Sequence, residues 1–194
     1  MSDPIEMLKE EHRKVECVLD GLEAIAEAAS VGAFSDRDLL TEILWFLREF
    51  TDVSHHAKEE EYLFPALEMR GMPVIGGPTG TMRLEHVKGR QLVSLAGSLL
   101  DPAFAPGGPD WKEIALVCDA YARLLRAHIQ KENHCVFGIA REILGPTELD
   151  LLGEAFHRVD SDWNASHGSE GLARVERILA RSKRYVDTLW CKSG

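Results

Sequence analysis

Long apolar runs are missing from this sequence of 194 residues. None of its apolar stretches approaches the ~20 residues that a membrane-spanning helix needs. The first residues, Met1-Ser2-Asp3-Pro4, also lack the basic start and the apolar stretch of a secretory signal. We therefore expect a cytoplasmic protein that has no membrane partner.

Cysteine is scarce, and its four positions show no metal-binding or redox spacing. A C-x-x-C pair, which zinc ribbons and thioredoxin-type redox sites require, does not occur in the sequence. We expect reduced and mostly buried thiols at Cys17, Cys118, Cys135 and Cys191.

Positive charge is in short supply. The chain has 32 Asp and Glu residues against 22 Lys and Arg residues, which gives a net charge of -10. An acidic surface repels phosphate backbones, so we expect no nucleic acid partner. The rest of the composition, with 45% hydrophobic and 28% charged residues, is typical of a globular protein. The length suits one domain with an extension.

Apolar residues recur at helical spacing along the chain, and the alternation typical of strands is absent. Turn residues divide this pattern into four long helices and a C-terminal pair. Four amphipathic helices with short links predict an all-α fold, an up-down-up-down four-helix bundle over residues 1–145. Residues 146–194 are predicted to form a C-terminal helical extension, which packs on the bundle or at the contact of a homodimer.

Capping residues and helix breakers predict the helix boundaries. Pro4 lies just inside the first helix, and Asp110 with Glu113 forms a capping pair at the start of the fourth. Pro65 is expected to kink the second helix or to end it. The predicted helices run from Ser2 or Asp3 to about Ser30, from Ser35 towards Arg70, from about Thr81 to Leu100, from Asp110 to Gly145, from about Thr147 to Asp162 and from about Ser169 to Trp190.

Each of the four long helices carries a histidine on its apolar stripe. Two of these histidines begin an H-x-x-x-E pair, His55 with Glu59 and His128 with Glu132. Residues at i and i+4 lie on one helix face about 6 Å apart along the axis, so each pair could bind one metal ion or two adjacent ions. Counted from one end of the bundle, the four histidines differ in height by only about 5 Å. The histidines are His12, His55, His86 and His128.

Burial of two glutamates in this layer would cost several kcal/mol for each unpaired ion. Metal cations would supply the missing positive charge. A set of histidines and carboxylates without cysteine excludes iron–sulfur clusters and disfavours structural zinc. Mixed imidazole and carboxylate ligands in a helical bundle suit iron, with manganese or zinc as alternatives. The remaining alternative is a helical bundle whose histidines are packing residues.

Other polar residues near these pairs are expected to play lesser roles. His56, with Glu60, lies about 100° around the helix from the ligand stripe. We expect His56 to support a ligand or to face solvent, and at most to be an extra ligand. Lys58 and Glu61 are predicted to be surface charges. The sequence offers no stripe or partner for His134, His157 and His167, which are predicted to be surface or loop residues.

With these motifs in place, the sequence resembles the hemerythrin-like (HHE cation-binding) family over about residues 4–143. The resemblance implies a non-haem di-iron centre, with two iron ions joined by an oxo or hydroxo bridge and by two glutamates, Glu59 and Glu132. It rests on Glu11-His12, on the segment from His55 to Pro65, on Glu85-His86 with Arg90, and on His128 with Glu132-Asn133. The implied metal ligands are His12, His55, Glu59, His86, His128 and Glu132.

One departure from the family pattern bears on function. Oxygen-carrying hemerythrins have a second histidine one turn after the ligand of the third helix, where this chain has Arg90. The resulting open metal positions favour reactivity over simple carriage. We expect a protein that binds or senses a small diatomic ligand, dioxygen or nitric oxide, or that handles iron. The alternative is a redox enzyme that turns over peroxide or nitric oxide or aids iron–sulfur repair. In that enzyme Tyr62 or Tyr121 could serve as a proton donor, but we expect both to be core aromatic residues.

Overall fold

A computed structural model describes residues 3–104 and 107–190 of the chain. These ranges are helical and contain no strand. We number five helices in chain order and treat consecutive α and π segments without a break as one helix. The helices are α1 (Pro4–Ser30), α2 (residues 37–69), α3 (Pro78–Leu100), α4 (residues 111–143) and α5 (Pro146–Trp190).

Helix α1 begins and ends where its capping residues predict. The side chain of Asp3 accepts hydrogen bonds from the backbone N–H groups of Ile5 and Glu6, and Pro4 occupies the first helical position, where no donor is required. The apolar stripe that begins with Ile5 and Leu8 is fully buried. Two residues after the helix ends, Gly32 has a φ of 73°, which is typical of the turn after a helix.

Helix α2 is wider than an ordinary α-helix over most of its middle. It consists of an α segment (Arg37–Phe46), a π segment (Leu47–His56), a second π segment (Glu59–Leu63) and an α segment (Phe64–Met69). Pro65 does not end the helix, which continues to Met69, and a kink at this position stays a prediction. The N–H of Phe64 bonds to the carbonyl of Glu59, five residues back. The wider π turn accommodates the ring of Pro65, which has no N–H to donate to a carbonyl one turn earlier.

Helix α4 also contains a π turn. Its first α segment is Trp111–Lys131, the π turn is Glu132–Val136, and a last α segment is Phe137–Ile143. The side chain of Asp110 accepts hydrogen bonds from the N–H groups of Lys112 and Glu113, as expected for a cap. Both helices with an H-x-x-x-E pair thus have a π turn at that pair, whereas α1 and α3 are regular. Such turns are frequent at functional sites.

Helix α3 starts at Pro78, three residues before the predicted Thr81, and ends at Leu100 as predicted. A tight loop precedes it. A Cβ atom at Gly77 would lie 1.8 Å from the carbonyl oxygen of Pro73, so only glycine fits at this position.

Between neighbouring helices, residues early in one helix pair with residues late in the other. Along α1 and α4, Glu6 pairs with Arg141 and Glu23 pairs with Arg126. Along α2 and α3, Glu68 pairs with Arg83, whereas the earlier Asp52 pairs with the later Arg90. Glu85 of α3 likewise pairs with Lys131 of α4, while Gly89 lies against Tyr121. These neighbours therefore run antiparallel.

The core consists of two apolar clusters on either side of one polar layer. One cluster contains Ile5, Leu63 and Phe137, and the other contains Val15, Phe50 and Ile129. Each of the first four helices passes from one cluster to the other. The polar residues of interest lie in the stretch between the clusters.

Helix α5 packs against α1 and α2. It is interrupted at Gly168, where φ is 62° and ψ is -163°, between the two C-terminal helices predicted from the sequence. The indole N–H of Trp163 donates to the carbonyl of Glu49 at 2.8 Å, and Phe156 is fully buried. A Cβ atom at Gly21 would lie 2.8 Å from Cβ of Ser182, which shows how closely α1 and α5 approach. The division of the chain into a bundle and an extension stays a prediction.

Two further expectations concern the membrane and the thiols. Within the described part of the chain, the helices are too short or too polar to cross a bilayer. Cys118 is buried and Cys17 is half-buried, but Cys135 is exposed, so the expectation of mostly buried thiols is only partly correct. Cys191 lies outside the described residues.

Candidate metal centre

The structure brings all six predicted ligand residues together in the polar layer. The ring centroids of His12 and His55 lie 4.8 Å apart, and those of His86 and His128 lie 4.6 Å apart. None of the six side chains is more than marginally exposed. The six residues are His12, His55, Glu59, His86, His128 and Glu132.

The layer divides into two groups of residues. Within each group, the potential ligand atoms all lie within 4.8 Å of one another. Glu59 belongs to both groups. One group contains the histidine of α1 and the other the histidine of α3, and we name them accordingly. The α1 set is His12, His55, Glu59 and Glu132, and the α3 set is His56, Glu59, His86 and His128.

Each of the two glutamates has one oxygen near each set. Oε1 of Glu59 lies 3.7 Å from Nε2 of His55, and its Oε2 lies 3.6 Å from Nε2 of His86. Oε2 of Glu132 lies 3.2 Å from Nε2 of His12, and its Oε1 lies 3.2 Å from Nε2 of His128. Both carboxylates therefore have the placement that bridging ligands of two neighbouring cations would need.

All five histidine rings have the same orientation relative to the centre. Each Nδ1 faces a side-chain oxygen outside the layer, at 2.6 to 3.1 Å. Because a carboxylate or amide oxygen can only accept, Nδ1 carries the hydrogen and Nε2 turns a lone pair towards the centre. The outer partners are Asn133 for His12, Glu11 for His55, Asp52 for His56, Glu60 for His86 and Glu85 for His128.

Several inward-facing atoms have no hydrogen-bond partner. Both oxygens of Glu59, both oxygens of Glu132, and Nε2 of His12 and of His56 are buried and unsatisfied. Each such atom costs about 1–3 kcal/mol when it is left unpaired. All of these atoms are acceptors, so they cannot satisfy one another. A cation between them would satisfy them together, and the donor set therefore fits a metal.

Protons alone would satisfy this layer only in part. Burial raises the pKa of Glu59, and burial lowers the pKa of His55 to about 4. Burial also disfavours the charged form of His128, but Glu132 and Glu85 outweigh it and raise its pKa to about 9. A proton on Nε2 of His128 would meet Glu132, and a proton on Glu59 could be shared with Glu132, yet Nε2 of His56 would remain without a donor.

His56 is the residue whose role the sequence pattern underestimates. It is buried, and its ring stacks on that of His86 with centroids 3.7 Å apart. The expectation that it faces solvent is wrong. Its angular position on α2 was derived from α-helical geometry, but the helix is π-helical from Leu47 to His56, and consecutive residues on a wider turn are closer in angle. The signal in the sequence for a buried, supported His56 is its place beside His55, with Asp52 four residues earlier as a partner for its ring.

Lys58 is not a surface charge as predicted. Its side chain has no exposed area, and its ammonium bonds to carboxylate oxygens of Glu11 and Asp160. Glu61, in contrast, is exposed as predicted. The burial of Lys58 depends on α5, whose position against α2 no local pattern reveals.

Arg90 lies outside the layer but supports the α3 set. Its guanidinium is 2.8 Å from Oδ1 of Asp52 and 2.8 Å from Oε1 of Glu60. Those same two oxygens accept from His56 and His86. Arg90 therefore orients the outer partners of two histidines.

The remaining predicted residues belong to neither set. His134 and His157 are exposed, as expected. His167 has a partner after all, because its ring stacks on Trp163 with centroids 4.2 Å apart. Tyr121 is buried in one apolar cluster, and Tyr62 packs against the other.

Comparisons with known proteins agree with this geometry. A model of the hemerythrin HHE cation binding domain matches residues 3–140. Uncharacterized proteins of Mycobacterium bovis and Mycobacterium tuberculosis are 29% identical over 144 residues, which are 72% of this chain and 56% of theirs. The chain thus spans about half the length of the curated relatives it matches. No solved structure matches it. The cation-binding description and the buried cluster together indicate a metal-binding site.

Proposed function

The chain belongs to the hemerythrin HHE cation-binding family, and on this basis we propose that it is a di-iron protein that binds or senses dioxygen or nitric oxide. The observation that carries the proposal is the placement of Glu59 and Glu132, each with one oxygen near each set of histidines. The antiparallel order of the first four helices supports the up-down-up-down bundle that the sequence predicts. The cytoplasm is the proposed location.

The donor set favours iron, manganese or zinc over calcium and magnesium, and iron is the metal that we propose. Imidazole and carboxylate donors in a buried helical layer suit iron, manganese and zinc, whereas calcium and magnesium prefer oxygen donors alone. Seven carboxylates lie in or beside the layer, against three cationic side chains, so two divalent ions would balance the excess negative charge. Iron would supply redox chemistry and open coordination positions for a diatomic ligand. The carboxylates are Glu11, Asp52, Glu59, Glu60, Glu85, Glu132 and Asp160, and the cations are Lys58, Arg90 and Lys131.

The two sets offer unequal numbers of ligands. We propose that both glutamates bridge, so that the α1 set supplies four donor atoms to its ion and the α3 set, with His56, supplies five. An ion that takes about six ligands would then keep more open positions in the α1 set than in the α3 set. If an oxo or hydroxo bridge takes one position at each ion, about one remains in the α1 set. The proposed diatomic ligand would bind there.

The surroundings of the α1 set support binding rather than turnover. The ring of His12 stacks on Phe137 with centroids 5.3 Å apart, and Leu8 lies fully buried in the same apolar cluster. Apolar side chains beside the α1 set would exclude water from a ligand bound there. The outer side of His55 is closed by Glu11 and the buried Lys58.

A cavity beside the α3 set favours redox turnover as a second candidate function. This cavity, of about 590 Å³, lies between α2 and α3. His56, Arg90 and Tyr121 line it, so a molecule from solvent could approach the α3 set, whose ion would have an open position if His56 is not a ligand. Burial raises the pKa of Tyr121, which keeps the phenol protonated and able to donate. A steady-state assay with hydrogen peroxide or nitric oxide tests this candidate. Absence of turnover by the iron-loaded protein would end it.

The primary proposal is tested by metal analysis together with absorption spectroscopy. We expect aerobically loaded protein to hold about two iron ions per chain and to show near-ultraviolet charge-transfer bands. Zinc-loaded protein is the control and should lack those bands. Less than one iron per chain after loading would contradict the proposal.

A further inference from the structure

Lys58 is a fully buried cation in the turn between two proposed ligands, His55 and Glu59. A buried ammonium requires carboxylate partners in its immediate neighbourhood. Lys58 has two of them, Glu11 from α1 and Asp160 from α5, and its Nζ lies 2.5 Å from Oδ1 of Asp160. One cation thus ties three helices together beside the metal centre.

The contact of Lys58 with Glu11 continues to a ligand ring. Oε1 of Glu11 accepts from Lys58, and Oε2 accepts from Nδ1 of His55 at 2.9 Å. The two oxygens of one rigid carboxylate are therefore divided between the ammonium and the imidazole. Any movement of Lys58 would turn Glu11 and with it the ring of His55.

Asp160 is placed in this chain of contacts by the packing of α5 on both sides of it. Phe156, one turn earlier, is fully buried in an apolar cluster. Trp163, one turn later, is anchored to Glu49 of α2 by its indole N–H. The family match ends at residue 140, so α5 lies beyond it.

We propose that Asp160 is a positioning residue of the metal centre, which orients His55 through Lys58 and Glu11. The inference rests on the proposed metal function. By this route α5, outside the family match, supports the α1 set and only that set. The outer partners of the α3 set are Asp52, Glu60 and Glu85. Within the described residues they form their ion pairs with Arg90 and Lys131 and with histidines of the layer, and none with a residue of α5. The prediction is therefore selective, because loss of Asp160 should weaken one metal site and spare the other.

Titration of the metal-free full chain with cobalt(II), followed by its visible absorption bands, tests this selectivity. The bands of the two sites are first assigned with His12→Ala, which removes an α1-set ligand, and His56→Ala, which removes an α3-set ligand. Asp160→Asn should then lower the cobalt affinity of the α1 set by about 10–100-fold, the usual effect of losing such a support. The affinity of the α3 set should change by much less, since its histidines have outer partners of their own. Asp162→Asn, an exposed position on the same helix, is the matched control and should leave both affinities unchanged.

Two results would overturn the inference. Unchanged affinities in Asp160→Asn would show that α5 does not support the centre. An equal loss at both sites would show a general structural role. If Asp160→Asn does not fold without metal, Asp160→Glu replaces it, because a longer carboxylate displaces the ammonium while it keeps the charge, and the same selective loss is expected. Absence of cobalt binding by the unaltered chain would instead refute the proposed function.

Discussion

The α1 set and the α3 set are two halves of one layer, but they are supported in different surroundings. His55 of the α1 set depends on Glu11 and Lys58, and the side chain of Lys58 is 0% exposed. His56 and His86 of the α3 set depend on carboxylates held by Arg90, whose side chain is 39% exposed. In both sets a carboxylate held by a cation orients a histidine. In the α1 set this cation is buried, and in the α3 set it lies at the edge of the bundle.

The difference in burial between these supports indicates where a substitution should lower stability or metal affinity most. Charges that attract one another in the interior are weakly screened, and the loss of one partner leaves a buried charge uncompensated. Charges at the surface are screened by water and salt, and the net stabilisation from a surface pair is small. We therefore expect the α1 set to be rigid and sensitive to substitution, and the α3 set to be more tolerant.

The largest effect is expected at the residue that the two sets share. Glu59→Gln keeps the volume of the side chain but removes the charge that would bridge two cations, so both metal sites should be lost. Iron analysis after loading should fall from about two ions per chain to well below one. Glu61→Gln, on the exposed side of the same helix, is the control and should retain both ions. Two ions in Glu59→Gln would remove the basis for a shared bridge.

Single-histidine variants separate the two sets. His12→Ala should lose the ion of the α1 set, and His56→Ala should lose that of the α3 set, so each variant should retain about one iron. Metal analysis and cobalt spectra measure this, with the exposed His134→Ala as control. Two irons in His56→Ala would mean that this buried ring is a packing residue, as the pattern of an ordinary α-helix suggests.

Unfolding of the metal-free protein allows a direct comparison of the two supporting cations, Lys58 and Arg90. Lys58→Met should lower the free energy of unfolding by about 3–5 kcal/mol, because it leaves the buried Glu11 and the partly exposed Asp160 without a cation. Arg90→Met should lower it by less than about 1 kcal/mol. Urea unfolding of both variants measures the difference. Equal losses would contradict the distinction between interior and edge supports.

The smallest effect is expected at Lys131, a half-exposed cation that bonds Glu85, the outer partner of His128. Lys131→Ala should weaken the cobalt affinity of the α3 set by no more than about threefold, which corresponds to a surface pair. Because salt screens exposed charges, this difference should vanish at about 1 M ionic strength. A tenfold loss that persists in high salt would mean that the edge supports act like buried ones.

The sequence alone predicts an all-helical chain and the convergence of the six buried residues, and the structure agrees with both. Both follow from periodicity, since a histidine and a glutamate at i and i+4 share a face. His56 was underestimated because its direction depends on the π-helical turn, which apolar spacing does not reveal. Lys58 was placed wrongly because its partner Asp160 lies on α5, far along the chain. Contacts between distant segments leave no local signal in a single sequence.

The two metal positions can be observed directly by anomalous diffraction at the iron edge, with crystals of the iron-loaded protein. We expect two peaks in the polar layer. One should lie against Nε2 of His12 and His55, the other against Nε2 of His86 and His128, with Glu59 between them. A single peak, or peaks only at exposed carboxylates, would contradict the proposed di-iron centre.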